Sequence, residues 1–222
     1  VPKNASEDAA EARVHTVDPA KGPMTMTSSP GTGPTPSAPA LDGERADLIA
    51  ELAEARGALI RTVNGLSDQQ IAERPTVSSL CLGGLVKHVT STEESWLRFV
   101  TEGPSAMTFA LPEGVTWEDF AAGTAHTYPQ WAIDRQNDFQ VLPGETLAGI
   151  LARYEEVAAR TEKIVATLPD LSVTHPLPDV PWNEPGAVRS ARRVLIHVIA
   201  ETTQHAGHAD ILREAIDGQT ST

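Results

Sequence analysis

Four polar residues near the end of the chain, His197, Glu201, His205 and His208, follow one another at intervals of about one helical turn. They sit in the stretch RRVLIHVIAETTQHAGHADILREAIDG, Arg192 to Gly218, where Leu195, Ile196, Ile199, Ile211, Leu212 and Ile216 recur at helical spacing without a proline. At about 100° per residue the four polar side chains fall within an arc of roughly 80°. A polar strip on an otherwise apolar helix must be solvated, hydrogen-bonded in pairs or bound to a metal. Glu201 and His205 could reach one ion together, although such a pair is more often a surface hydrogen bond.

The natural third ligand is His88, in LCLGGLVKHVTSTEESWLRFV, Leu80 to Val100, where it shares a face with Leu85, Thr92, Ser95 and Phe99. Two histidines and a carboxylate leave a coordination position open, which is the pattern of catalytic rather than structural zinc. A cation held this way could activate a water, polarise a carbonyl, or bind a thiol and strip its proton. The residues do not choose among these. His208 is read as a support for a ligand or a pocket residue, and His197 as a hydrogen-bonded core histidine. Ser95 and Trp182 are further pocket candidates.

Four long helices must position these groups. The first spans Gly43 to Asn64, with Leu48, Leu52, Ala55, Leu59 and Val63 in one stripe, and Gly65 ends it. Ser67 to Gln70 has the form of a capping box and opens a short helix that stops before Pro75. Ser78 or Ser79 should cap the second long helix, which runs to Gly103. The third covers Glu145 to Leu168, and the fourth is the stretch above. Gly103 to Gly144 is expected as an irregular loop rich in aromatic residues, with a helical turn at Trp117–Phe120. These aromatics either cover the bundle or line a pocket. Pro169 to Arg189 forms a second long connection. Connections of this length after the second and third helices suit an all-α, up-down-down-up four-helix bundle.

The net charge of −13 offers no basic stripe for nucleic acid. No apolar run is long enough for a membrane span, and no signal peptide is evident. The single cysteine, Cys81, excludes an intramolecular disulfide. It reads as a small apolar packing residue, so any thiol chemistry would draw its thiol from elsewhere. A cytoplasmic protein, monomer or homodimer, is expected. Residues 1–42 have the composition of a disordered extension, and 43–222 that of the folded domain. With Met24 and Met26 close behind Val1, residues before one of these methionines are read as an upstream extension.

GLVKHV, followed much later by LIHVIAETTQHAGHADILREAIDG, resembles the DinB-like superfamily, in its DUF664 (mini-circle protein) branch. The resemblance runs from about Glu44 to Gly218. It implies a four-helix bundle holding a divalent metal through His88, Glu201 and His205. Many members have a third histidine where Glu201 stands. The His/Glu/His form resembles the mycothiol-dependent maleylpyruvate isomerases, which favours zinc, with nickel or iron as alternatives. Related enzymes bind a low-molecular-weight thiol as its thiolate, mycothiol in actinobacteria, and transfer it to a small electrophile or use it in isomerisation. The resemblance implies mycothiol as co-substrate and a small-molecule electrophile as partner. The competing readings are a non-catalytic metal-binding or stress-response bundle and a metal-dependent hydrolase.

Overall fold

The computed structural model describes residues 41–220, which fall in one compact unit. Seven α-helices follow in order: α1 (Gly43–Arg61), α2 (Asp68–Ala72), α3 (Leu82–Glu102), α4 (Trp117–Ala122), α5 (Gln130–Asp138), α6 (Leu147–Thr167) and α7 (Ala191–Asp217). Two short strands, β1 (Thr174–Pro176) and β2 (Val188–Ser190), pair antiparallel just before α7, with His175 opposite Arg189.

Local chemistry sets most of these boundaries. Asp42 accepts from the Arg45 backbone N–H to start α1, and Ser67 and Gln70 form the full capping box of α2. Thr146 caps α6, Ser190 caps α7, and Gly218, with φ 75°, closes α7 in the left-handed region. The expected cap of α3 is displaced. Cys81 occupies that position without a capping side-chain bond, and the Ser78 hydroxyl accepts from Leu80 N–H within the preceding turn. α1 also stops three residues early, at Arg61, with Val63 still buried beyond it.

The core is split into two clusters, and their membership gives the topology. One joins Leu59 late in α1 and Val63 just past it, Leu85 and Val89 early in α3, Ile150 early in α6, and Ala209 and Leu212 late in α7. The other joins Leu52 in α1, Phe99 and Val100 late in α3, Val165 late in α6, and Val194 and Leu195 early in α7. So α3 and α6 run one way, and α1 and α7 the other. This is the up-down-down-up bundle. Each fully buried leucine contributes on the order of 1.5–3 kcal/mol.

Between the clusters lies a polar layer. Arg56 of α1 donates to Glu93 of α3 through Nε (3.2 Å) and Nη2 (2.5 Å), and Thr161 of α6 donates to the same carboxylate. Glu93 is 0% exposed and Arg56 5%. The Tyr154 hydroxyl beside this layer is buried without a partner, and burial pushes its pKa up.

The connection expected as a loop with one helical turn contains α4, as anticipated, and α5, which was not. α5 has only Trp131, Ala132 and Ile133 as apolar residues, too few for a stripe. The hairpin escaped notice because its strands are three residues long and one contains Pro176. The extension read at residues 1–42 and the start sites at Met24 and Met26 lie outside the described residues, apart from Leu41 and the capping Asp42.

Candidate metal centre

α3 and α7 pack against each other, and their facing sides carry the polar groups the spacing singled out. One nitrogen of His88, one carboxylate oxygen of Glu201 and one nitrogen of His205 all lie within 4.8 Å of one another. His88 is 3% exposed and comes from the second turn of α3, while Glu201 and His205 are half-buried on successive turns of α7.

Three observations fit a cation. The buried His88 Nδ1 has no hydrogen-bond partner, and an unmet buried polar atom is costly. His205 Nε2 stands 3.5 Å from Glu201 Oε2; two ligands on a tetrahedral zinc are about 3.4 Å apart given bond lengths near 2.1 Å. The donor set of two imidazoles and a carboxylate suits zinc. The imidazoles are also held neutral, as ligation requires. Burial brings His88 down to about 3, with Arg135 and His205 adding to the effect. Burial lowers His205 as well, against the opposing pull of Glu201.

The neighbours hold this trio in place. His208, exposed, lies with its Nδ1 3.4 Å from His205 Nδ1, so the His205 nitrogen turned away from Glu201 has a partner. His197 Nε2 is 3.7 Å from the second Glu201 oxygen, and its ring meets Trp96 edge-on at 5.1 Å. It is half-buried rather than a core residue. Thr92 Oγ1 is 3.5 Å from His88 Nε2.

Phe139, just past α5, lies flat on His88, with ring centroids 4.0 Å apart and planes at 22°. Its backbone reaches α3 because Gly83 and Gly84 leave room. A Cβ on Gly84 would sit 2.2 Å from the Phe139 carbonyl oxygen, and one on Gly83 2.5 Å from Val141 Cγ2. Lys87 fastens the same segment, donating to Asn137 O, Gln140 O and Glu145 Oε2. Cys81 is buried and directs its thiol at Phe139 O, 3.6 Å away, as a packing residue.

Two pocket candidates sit elsewhere. Ser95 is exposed: Phe139 covers one end of its face at His88 and His175 packs on Phe99 at the other, leaving the middle open. Trp182 is 55% exposed and packs with Phe109, Trp117 and Trp131, not with the trio. The loop aromatics thus form their own cluster across the two connections, and Phe139 alone touches a trio residue. Phe139 is one of the loop aromatics expected to cover the bundle or line a pocket; its place on His88, and the glycine pair that admits it, are what sequence reasoning missed. LGGL inside a helix was the available signal, since glycine there marks a close backbone approach.

A family model for mycothiol-S-transferase matches residues 47–218, nearly the whole described chain. The chain belongs to the mycothiol-S-transferase family. Both α3 and α7 fall within that match, so the trio lies in the family's own domain. The fold is also similar to the crystal structure of a conserved protein from Enterococcus faecalis. That match has a TM-score of 0.54 and 13% identity, and covers 81% of this chain and all of the other. At that identity it speaks for the bundle alone. No curated protein matches the sequence significantly. Among the described residues no helix is long and apolar enough to cross a membrane.

Proposed function

We propose that this mycothiol-S-transferase family member is a metal-dependent enzyme in which His88, Glu201 and His205 hold a divalent cation, zinc by its donor set, with mycothiol as co-substrate. The observation that carries this reading is the convergence of the three side chains around an unpartnered His88 nitrogen. Bound there, the cation would take a thiol through its sulfur and raise the thiolate population at neutral pH.

The chain's own groups supply the rest. Two neutral imidazoles and one carboxylate offset one of a dication's two charges and leave one for an anionic sulfur. His197 and His208 keep Glu201 and His205 oriented. The Phe139 ring closes the His88 side against water. The transfer forms one sulfur–carbon bond, expels the leaving group with its electron pair and releases the thiol proton to solvent. Isomerisation of a small unsaturated electrophile would use the same thiolate and return the thiol unchanged.

The test is turnover of a general thiol-reactive electrophile by protein of known metal content, with and without mycothiol. Turnover that needs both metal and mycothiol is expected. Turnover without thiol would replace the reading with a metal-dependent hydrolase, and metal without turnover would leave a binding bundle.

A further inference from the structure

The chain carries 30 acidic against 17 basic residues, and its buried or half-buried arginines mostly find a carboxylate. Arg56, Arg153, Arg160, Arg192 and Arg213 each make an ion pair. Arg189 does not. Its Nε and Nη1 are turned inward, buried, and without a hydrogen-bond partner among the described residues. Its guanidinium lies over the Trp96 ring, with Cζ 4.5 Å from the centroid. The backbone beneath it is fixed by pairing with His175 in the hairpin.

Arg193, in the first turn of α7, is exposed and makes no ion pair among the described residues. The two like charges therefore repel each other, and neither makes an ion pair among the described residues. The burial and repulsion that this imposes lower the Arg189 pKa. Both charges bear on His197, the neighbour of Glu201. Trp96, under Arg189, meets His197 edge-on at 5.1 Å, and His197 Nε2 is 3.7 Å from Glu201. Along α7, Arg193, His197 and Glu201 succeed one another at about 6 Å intervals.

We infer that Arg189, with Arg193 and the Trp96 ring, forms a carboxylate subsite, and that the electrophile accepted beside the trio carries a carboxylate on the side away from its reacting carbon. Arg189 has inward donors in a fixed fork, suited to a planar anion. Trp96 holds the guanidinium flat and offers an apolar wall to the substrate body. This inference rests on the transferase reading for its electrophile and deepens it by naming the substrate class.

The test uses the full chain loaded with zinc, mycothiol, and two electrophiles that differ only across the ring, 4-(chloromethyl)benzoate and 4-(chloromethyl)benzamide. In both the thiol sulfur displaces chloride and the thiol proton passes to buffer. KM for the acid is expected about tenfold below that for the amide, the scale of a charge-assisted pair. Arg189→Gln should remove that difference by raising KM for the acid alone, with kcat unchanged, and Arg189→Lys should restore part of it. Arg193→Gln, at an exposed position that does not threaten folding, should raise KM for the acid by a smaller factor. Calorimetry with 4-methylbenzoate, which has no leaving group, reads binding apart from turnover. Equal KM for acid and amide, or binding of 4-methylbenzoate that Arg189→Gln leaves intact, overturns the subsite. No turnover with either electrophile, but 4-methylbenzoate bound by wild type and lost in Arg189→Gln, overturns the transferase reading and leaves the subsite standing. Neither turnover nor binding overturns both.

Discussion

The Phe139 ring lies parallel to the His88 imidazole at 4.0 Å, and the space for it comes from Gly84, one turn earlier on α3. Gly84→Ala places a Cβ 2.2 Å from the Phe139 carbonyl oxygen. Backbone cannot rotate away as a side-chain end can, so the segment must lift. A loss of about 1–3 kcal/mol is expected, the range for overpacking, together with weaker zinc binding as His88 becomes wet. Gly57→Ala in α1 meets only Arg61 Nη1 at 3.5 Å and should gain up to about 1 kcal/mol from helix propensity. Urea titration and zinc affinity on both variants check the pair. Equal responses would mean that Gly84 does not position Phe139.

How much of this was legible follows from the range over which each signal acts. The apolar stripes and caps of the long helices are local, and they located α1, α3, α6 and α7 to within a few residues. The i, i+4 spacing placed Glu201 and His205 on one face. Pairing them with His88 needed only that α3 and α7 be neighbours. The Arg56–Glu93 bond joins residues 37 apart in sequence, and nothing in either segment distinguishes a buried charge from a solvated one. The place of Phe139 went unassigned because its partner, His88, lies on another helix and its own segment has no periodicity.

Breaking the Arg56–Glu93 pair should cost stability and leave the metal alone. Glu93→Leu leaves the buried guanidinium with only the longer contact to Glu162, 3.5 Å away, with an expected loss of about 3 kcal/mol, the lower end for a broken buried pair. Arg56→Met combined with Glu93→Leu removes both charges and should recover most of it. Zinc stoichiometry should be unchanged in any variant that still folds. Loss of zinc from the folded double variant would show that this layer supports the metal centre.

Stability of the metal-free protein should fall on acidification below neutral pH. His88 is about 3 in the folded chain against 6.5 for an ordinary histidine, because burial disfavours the imidazolium. Between those values the unfolded chain holds a proton that the folded chain does not, so stability rises with pH across that window. The contribution is complete above 6.5 and is lost as pH falls toward 3. His197 and His205 are lowered too and act in the same sense. Melting temperatures of wild type and His88→Gln from pH 7 to 5 should therefore converge toward the acid end. Parallel curves would contradict the burial of His88.

Glu201 is where the metal reading is most exposed to test. It stands between two imidazoles, 3.7 Å from His197 Nε2 and 3.5 Å from His205 Nε2. As a ligand it supplies the only negative charge in the trio. Glu201→Gln keeps the size and the hydrogen bonding and removes that charge, so zinc affinity should drop by about tenfold or more, the scale known even for residues behind the ligands. Glu201→His rebuilds an all-imidazole set and should still bind a divalent ion, with the site more positive by one charge and selectivity moved toward nickel or iron. As a merely structural partner of His197 and His205, Glu201 would behave differently. Both changes would then lower the melting temperature of the metal-free protein and leave metal content as in wild type. Metal content and melting temperature measured on the same two variants separate these outcomes. The expected result is metal lost in Glu201→Gln, metal retained in Glu201→His, and a helical signal unchanged in both.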